Sequence, residues 1–359
     1  MKTTKIITSL FLTALCAPIF ISCDSKDDTP SATEVSTGVY VLNQGKYNSN
    51  NASLTYYDFA TSFASADLFL DKNNRGLGDT GQDMIKYGSN IYIAMYKSSL
   101  IEVVNAKTGV SLKSIPMKND AGTSSSPRSL TSANGKVYVV LYDGHVAQLD
   151  TASLSVEKTI AVGANPDASV ISNNKLYVAN TGGMAATYDN TISVINLSTF
   201  TETKKIVVNL NPGTIKADSY GDIYVVSKGD YNQVPGKFQR VAAGTDKVTD
   251  IAVAVKNFDI VGDNAYISNF DYDAAWQAAN KTIAIYNVKN EELINPNIIT
   301  TDIIKTPYCI TVDPVSKDIY LGVSDYVNNG KMYCFTSNGI LKFTFLTGVN
   351  PTKVVFITK

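Results

Sequence analysis

Two patterns of apolar residues divide this chain. From Ile6 to Phe20 no residue is charged, and the stretch is too short to cross a bilayer comfortably. Further on, apolar residues come in short runs broken by polar turns. One tripeptide recurs there: an apolar residue, a tyrosine, then a branched aliphatic. It stands at Val39-Tyr40-Val41, Ile91-Tyr92-Ile93, Val137-Tyr138-Val139, Leu176-Tyr177-Val178, Ile223-Tyr224-Val225, Ala265-Tyr266-Ile267 and Ile319-Tyr320-Leu321, with the tyrosines 39 to 54 residues apart. β-Branched and aromatic residues in such runs favour strands. A repeat of this length predicts one four-stranded unit per period.

The rest of each repeat agrees. A short strand and a turn precede the tyrosine strand, as in Ala168–Ile171 and Ser172–Lys175. A polar loop, an alternating strand (Thr191–Asn196, Thr282–Asn287) and a fourth strand (Val156–Val162) follow it. Proline leads into the next unit at Ser126-Pro127, Asn165-Pro166, Asn211-Pro212, Thr306-Pro307 and Asn350-Pro351. It suits the start of a strand because it lacks the ladder donor and fixes the turn. Gly163-Ala164-Asn165-Pro166 running into Leu176-Tyr177-Val178-Ala179-Asn180 resembles the YVTN-type, YncE-like propeller repeat, and the resemblance covers residues 38 to 359. The chain ends supply a separate argument. The first tyrosine strand has no inner strand before it, and the last inner strand, Val354–Ile357, has no tyrosine strand after it. Pairing the two completes a ring and removes exposed edges. The expected fold is therefore an all-β, seven-bladed β-propeller of four-stranded blades over residues 37–359, closed by its N- and C-terminal strands.

The first segment reads differently. Lys2 and Lys5 precede the uncharged run, which is the layout of a secretory signal peptide over residues 1–22. Phe20-Ile21-Ser22-Cys23 resembles a bacterial lipobox, with phenylalanine where leucine is usual; the resemblance implies acylation of Cys23. Residues 23–36 lack the apolar residues needed for a core and read as a flexible acidic tether. The run Asp24-Ser25-Lys26-Asp27-Asp28 resembles the surface-export tag of outer-membrane lipoproteins, which implies an outer-membrane, outward-facing location.

Composition narrows the chemistry. Lys and Arg number 31 against 32 Asp and Glu, with no basic run, so nucleic acid is not an expected partner. No second stretch is long and apolar enough to span a membrane, so contact with one is expected through the lipid alone. Cys309 and Cys334 are the cysteines left beyond the leader and the lipid site, and His145 is the one histidine. That excludes a zinc site built from histidine and cysteine. A Ser-His-Asp device would have to use His145, which follows the turn Asp143-Gly144 and reads as a surface strand residue. No metal or cofactor is expected, although Asp271 and Asp273 leave a calcium site of oxygens open.

The candidate site lies on the face that carries the longer loops. Every loop between a second and a third strand holds an aromatic residue: Tyr47, Tyr96, Tyr142, Tyr188, Tyr231, Tyr272 with Trp276, and Tyr326. Aromatic rings among small polar groups make a recognition surface, while asparagine, aspartate and glycine also gather in loops for turn reasons alone. Gln82, Asp83, Arg128, Asp167, Lys216, Tyr308 and Lys353 start the inner strands and are expected around a polar central funnel. The lipobox, acidic tag, YVTN-like blades and tyrosine-rich loops together resemble the cobalamin-capturing surface lipoprotein propellers of the BtuG type. That resemblance implies a non-enzymatic, monomeric protein that holds cobalamin, or a related corrinoid, and passes it to a TonB-dependent outer-membrane transporter. A glycan-binding lipoprotein, a protein-interaction scaffold and a propeller lyase or hydrolase are the alternatives.

Overall fold

The computed structural model describes residues 34–299 and 303–359. The leader, Cys23 and most of the expected tether lie outside the described residues. Val35 and Ser36, assigned by the sequence to the end of that tether, are already part of the sheet. Val35 N–H donates to Lys359 O at 3.1 Å and receives Lys359 N–H at 3.0 Å, and Ser36 begins the strand Ser36–Asn43.

Seven sheets of four antiparallel strands stand in a ring, as the repeat predicts. Blade 1 joins both ends of the domain: Pro351–Thr358 is innermost, followed by Ser36–Asn43, Ser53–Asp58 and Phe63–Ser65. The pairing runs from Ser36 against Thr358 to Asn43 against Pro351. Blades 2 to 7 follow in chain order, with inner strands Gly81–Tyr87, Pro127–Ala133, Pro166–Ser172, Pro212–Ala217, Asn257–Val261 and Thr306–Val312. Each inner strand contacts the next around the ring, and Pro351–Thr358 closes it against Gly81–Tyr87.

The recurring tyrosine is what joins the blades. A strand points successive side chains to opposite faces, so Val39 and Val41 face blade 7 while Tyr40 and Leu42 face blade 2. All seven tyrosines are buried, and each packs into the core shared with the following blade. Tyr40 meets Met84 and Ile91; Tyr320 meets Val39 and Val41 across the closure. Burying a ring of this size contributes about 2 kcal/mol. Tyr40 and Tyr224 also donate their hydroxyls to Ala106 O at 3.1 Å and Val288 O at 3.2 Å, which satisfies the polar end inside the core.

Three details depart from the sequence pattern. A short helix, Leu68–Asn73, follows blade 1 and buries Phe69 under blades 1 and 2. The stretch expected as a loop over Phe270–Lys281 is largely hairpin: Asn264–Tyr272 pairs with Ala278–Asn287 out to Tyr272 opposite Ala278. The loop expected over 325–331 is cut to 325–328 because the third strand of blade 7 starts at Asn329. Cys309 and Cys334 are free and buried, and burial pushes both thiols up to about 12.

Candidate functional site

The backbone at the start of each inner strand builds the site. Thr80, Ser126, Asn165, Asn211 and Asn350, each directly before an inner strand, adopt φ between 45° and 60°. Asparagine tolerates this left-handed region better than most residues, which explains the Asn-Pro pairs. Asn165 then ties the neighbouring loops: its Nδ2 donates to Tyr142 O at 3.0 Å and its Oδ1 receives Met184 N–H at 3.0 Å. Just inside the strand, six of the seven inner strands break register, at Gln82, Arg128, Asp167, Gly213 with Thr214, Tyr308 and Thr352. A bulge leaves a residue out of the ladder and re-aims its side chain. The expected funnel residues Gln82, Arg128, Asp167 and Tyr308 are bulge residues.

A hydrogen-bonded circuit follows from them. Tyr308 donates to Gln44 Oε1; Gln44 Nε2 donates to Gln82 Oε1 at 3.3 Å; Arg128 Nη1 donates to the same oxygen at 3.2 Å. Arg128 Nε donates to Asp167 at 2.5 Å, and Lys228 Nζ stands 4.0 Å from the other oxygen of that carboxylate. The circuit runs over blades 7, 1, 2, 3, 4 and 5. Beneath it, Lys353 pairs with Asp83 at 2.9 Å and Lys216 with Asp259 at 2.8 Å. Burial alone would lower the Lys353 ammonium, but the Asp83 charge and hydrogen bond outweigh it and raise its pKa. Asp83 also receives Leu130 N–H from blade 3 at 2.8 Å, and Asp259 receives Val312 N–H from blade 7 at 3.0 Å. These carboxylates staple inner strands that share no ladder. Most of these side chains line a central cavity of about 430 Å³. Gln82, Asp83, Arg128, Asp167, Lys216 and Lys353 face it as expected, while Tyr308 turns to the rim, against Gln44 and the ring of Tyr326.

The loop aromatics sort into two groups. Tyr96 and Tyr142 are half-buried and meet edge to face at 6.0 Å; the Arg128 guanidinium lies 5.0 Å from each ring. Tyr188 meets Tyr231 at 6.1 Å, across blades 4 and 5. Tyr47 of blade 1 stands apart: it is 60% exposed and lies under Lys97 Nζ at 5.0 Å. The other group crowns blades 5 to 7: Tyr231 is 71% exposed and Trp276 79%. Tyr272 packs against Trp276 at 6.0 Å, and its hydroxyl meets that of Tyr326 at 3.1 Å. Tyr231, Trp276 and Tyr326 adopt φ of 59°, 58° and 65°, a conformation uncommon for bulky residues. An aspartate anchors each of these turns. Asp230 receives the N–H groups of Asn232 and Val234, Asp273 those of Ala275 and Gln277, and Asp325 those of Val327 and Asn328. Hydrogen bonds from Asn328 and Val327 hold Asp325 down to about 2.

His145 begins a third strand, is partly exposed, and shares a 3.0 Å hydrogen bond with Asp143. Among the described residues no group of three or more His, Cys, Asp or Glu side chains could hold a metal ion. The sequence did not mark Gln44 or Lys228 as site residues; both sit just beyond a second strand, and only the folded ring carries them to the mouth.

No protein-family profile matches this chain, and no curated protein matches it. Solved structures match it in fold. Hydrazine synthase of Kuenenia stuttgartiensis is 14% identical with a TM-score of 0.61, covering 76% of this chain and 93% of that one. The computationally designed Ika8 protein is 11% identical with a TM-score of 0.58, over 88% and 96%. A chain of the mitotic checkpoint complex is 13% identical with a TM-score of 0.56, over 96% and 89%. At these identities the likeness carries the propeller fold alone.

Proposed function

We propose that this propeller is a capture module that binds a ligand on its long-loop face and performs no reaction of its own. The observation that carries this reading is the crescent of exposed rings over blades 5 to 7, next to a polar cavity. Tyr231, Tyr272, Trp276 and Tyr326 present apolar area to solvent on turns fixed by aspartates. Gln44, Gln82, Arg128 and Asp167 supply directional hydrogen bonding beside them. Rigid aromatic area with convergent polar groups is the usual make-up of a ligand surface.

The ligand is a corrinoid, cobalamin or a relative, and the protein sits lipid-anchored through Cys23 on the outward side of the outer membrane. There it hands its ligand to a TonB-dependent transporter. The resemblance to BtuG-type propellers supports this assignment, and a wide ring system with amide arms matches stacking area beside hydrogen-bonding groups. Calorimetric titration of the full chain with cyanocobalamin tests it. One-to-one binding is expected, weakened about tenfold by Trp276→Ala, as for an aromatic contact worth about 1.4 kcal/mol. No heat and no shift in the ligand's visible spectrum would overturn the corrinoid assignment. Exposed Trp276 also favours a second reading, glycan binding, which retardation in polysaccharide gels would reveal.

A further inference from the structure

The mouth of the central channel carries an imbalance that the aromatic crescent does not explain. Most of its amide and carboxylate acceptors are taken, Asp167 Oδ2 excepted, which lies 4.0 Å from Lys228 Nζ. Gln82 Oε1 receives both Arg128 and Gln44; Gln44 Oε1 receives Tyr308; Asn257 Oδ1 receives Phe258 N–H at 2.9 Å. Asp83, Asp167 and Asp259 are each held by a cation, and Asp83 and Asp259 by main-chain N–H groups as well. Donors are left over. Gln82 Nε2, Asn257 Nδ2 and Lys228 Nζ face the same cavity and make no hydrogen bond there, and the Thr131 hydroxyl is buried without a partner. The amide orientations are fixed, because guanidinium and main-chain N–H groups only donate.

Charge leans the same way. Arg128, Lys216, Lys228 and Lys353 meet three carboxylates in this channel, although the chain as a whole has a formal net charge of −1. Lys228 is the surplus cation: its nearest carboxylate oxygen is 4.0 Å away, on an Asp167 already bound by Arg128. The inner strand of blade 5 makes room for it. A Cβ on Gly213 would stand 3.2 Å from Lys228 Cε, so glycine there lets the lysine lie across the strand.

We infer that the channel mouth is an anion site, taking a carboxylate or phosphate group on Lys228 with the free amide donors around it. The inference deepens the capture reading, since an acidic group of the captured ligand would seat here, but a simple anion tests it alone. The full chain is titrated calorimetrically at low salt with inorganic phosphate and, separately, with acetate. Binding of either supports the site and names the group it prefers. Lys228→Ala is expected to weaken that binding about tenfold, the scale of one charge-assisted hydrogen bond. Lys228→Arg should keep most of it, Gly213→Ala should lose part of it by displacing the lysine, and added salt should weaken it. Unfolding scans confirm that each variant is folded; Lys228 is half exposed and holds no core contact. Neither anion binding at low salt, or equal affinity in Lys228→Ala, would overturn the inference. Cyanocobalamin is titrated in parallel. Corrinoid binding without anion binding sinks this site alone, and anion binding without corrinoid binding sinks the corrinoid assignment alone.

Discussion

Tyr96 and Tyr142 lie in the same loop of their blades as Tyr231 and Tyr326 in theirs, directly after the second strand in the first pair and four and two residues beyond it in the second, yet the two pairs do different work. The first pair closes on Arg128, which is itself tied to Gln82 and Asp167. These rings complete the fold around a guanidinium. The second pair, with Trp276 between them in the ring of blades, sits on left-handed backbone with Tyr231 71% and Tyr326 46% exposed. A repeated residue in a repeated loop is therefore not a repeated function. What separates Tyr96 and Tyr142 from Tyr231 is the bulge residue of the inner strand: Arg128 of blade 3 offers those two rings a cation, while Gly213 of blade 5 has no side chain to offer; Tyr326 lies against the Tyr308 ring of its own blade.

If blades 2 to 4 hold the ring together, damage there must cost stability. Asp83→Ala is the severest case. It strands Lys353 and leaves Met84 and Leu130 N–H groups unpaired in the interior. Loss of one member of such a pair costs about 3 kcal/mol, and urea denaturation should show it. A loss under about 1 kcal/mol would mean that the inner strands need no staple. Arg128→Ala comes next, at about 2 kcal/mol for its hydrogen bonds and ring contacts together. The same variant should free Tyr96 and Tyr142, read as a change in near-ultraviolet circular dichroism. An unchanged spectrum would erase the contrast between the two pairs.

Tyr308 gives a smaller effect with a definite sign. Burial first, then the neighbouring Cys309, pushes its phenol from 10.0 up to about 12. A group whose folded pKa is raised lends stability that is complete below its unfolded value and is lost as pH climbs through the folded value. Stability should therefore decline between pH 10 and about 12 in the native chain, and decline less in Tyr308→Phe. Identical alkaline profiles for the two would show that the hydroxyl is not held at the rim.

Much of the ring was legible because each blade buries the same kind of strand. The tyrosine tripeptides, spaced by one blade, and the complementary chain ends led directly to seven sheets and to blade 1. The prolines marked where inner strands begin, but not that the asparagine before three of them would be left-handed, and aromatic rings of neighbouring loops meet, as Tyr96 does Tyr142 and Tyr272 does Tyr326. Other features were hidden for physical reasons. The helix Leu68–Asn73 is too short to show a period, although Asp67, which receives Leu70 N–H, and Asn74 at φ 53° cap it. The hairpin beyond Asn269 looked like a loop because, apart from Phe270, its residues are polar, small or exposed and leave no alternating buried face. The pairing of Asp83 with Lys353 joins residues far apart in sequence, and only ring closure brings them together. For the same reason the sequence could mark Tyr96 and Tyr231 but not tell which ring would be covered.

Trp276 separates presentation from packing with the smallest effect on the fold. Its side chain is exposed, its φ is 58°, and Asp273 holds the turn through two main-chain N–H groups and receives nothing from the indole. Trp276→Ala should then change stability by less than about 0.5 kcal/mol. Trp276→Gly should do no worse, because glycine accepts a left-handed φ that a bulky residue resists. Both variants should lose the ligand affinity that the crescent supplies. If Trp276→Gly instead costs more than about 1 kcal/mol, the indole is holding Tyr272 and the hairpin in place, and the crescent belongs with Tyr96 and Tyr142 as packing. A stable but non-binding Trp276→Gly is the result that keeps the two groups of rings distinct, since no loss of structure could then account for the loss of ligand.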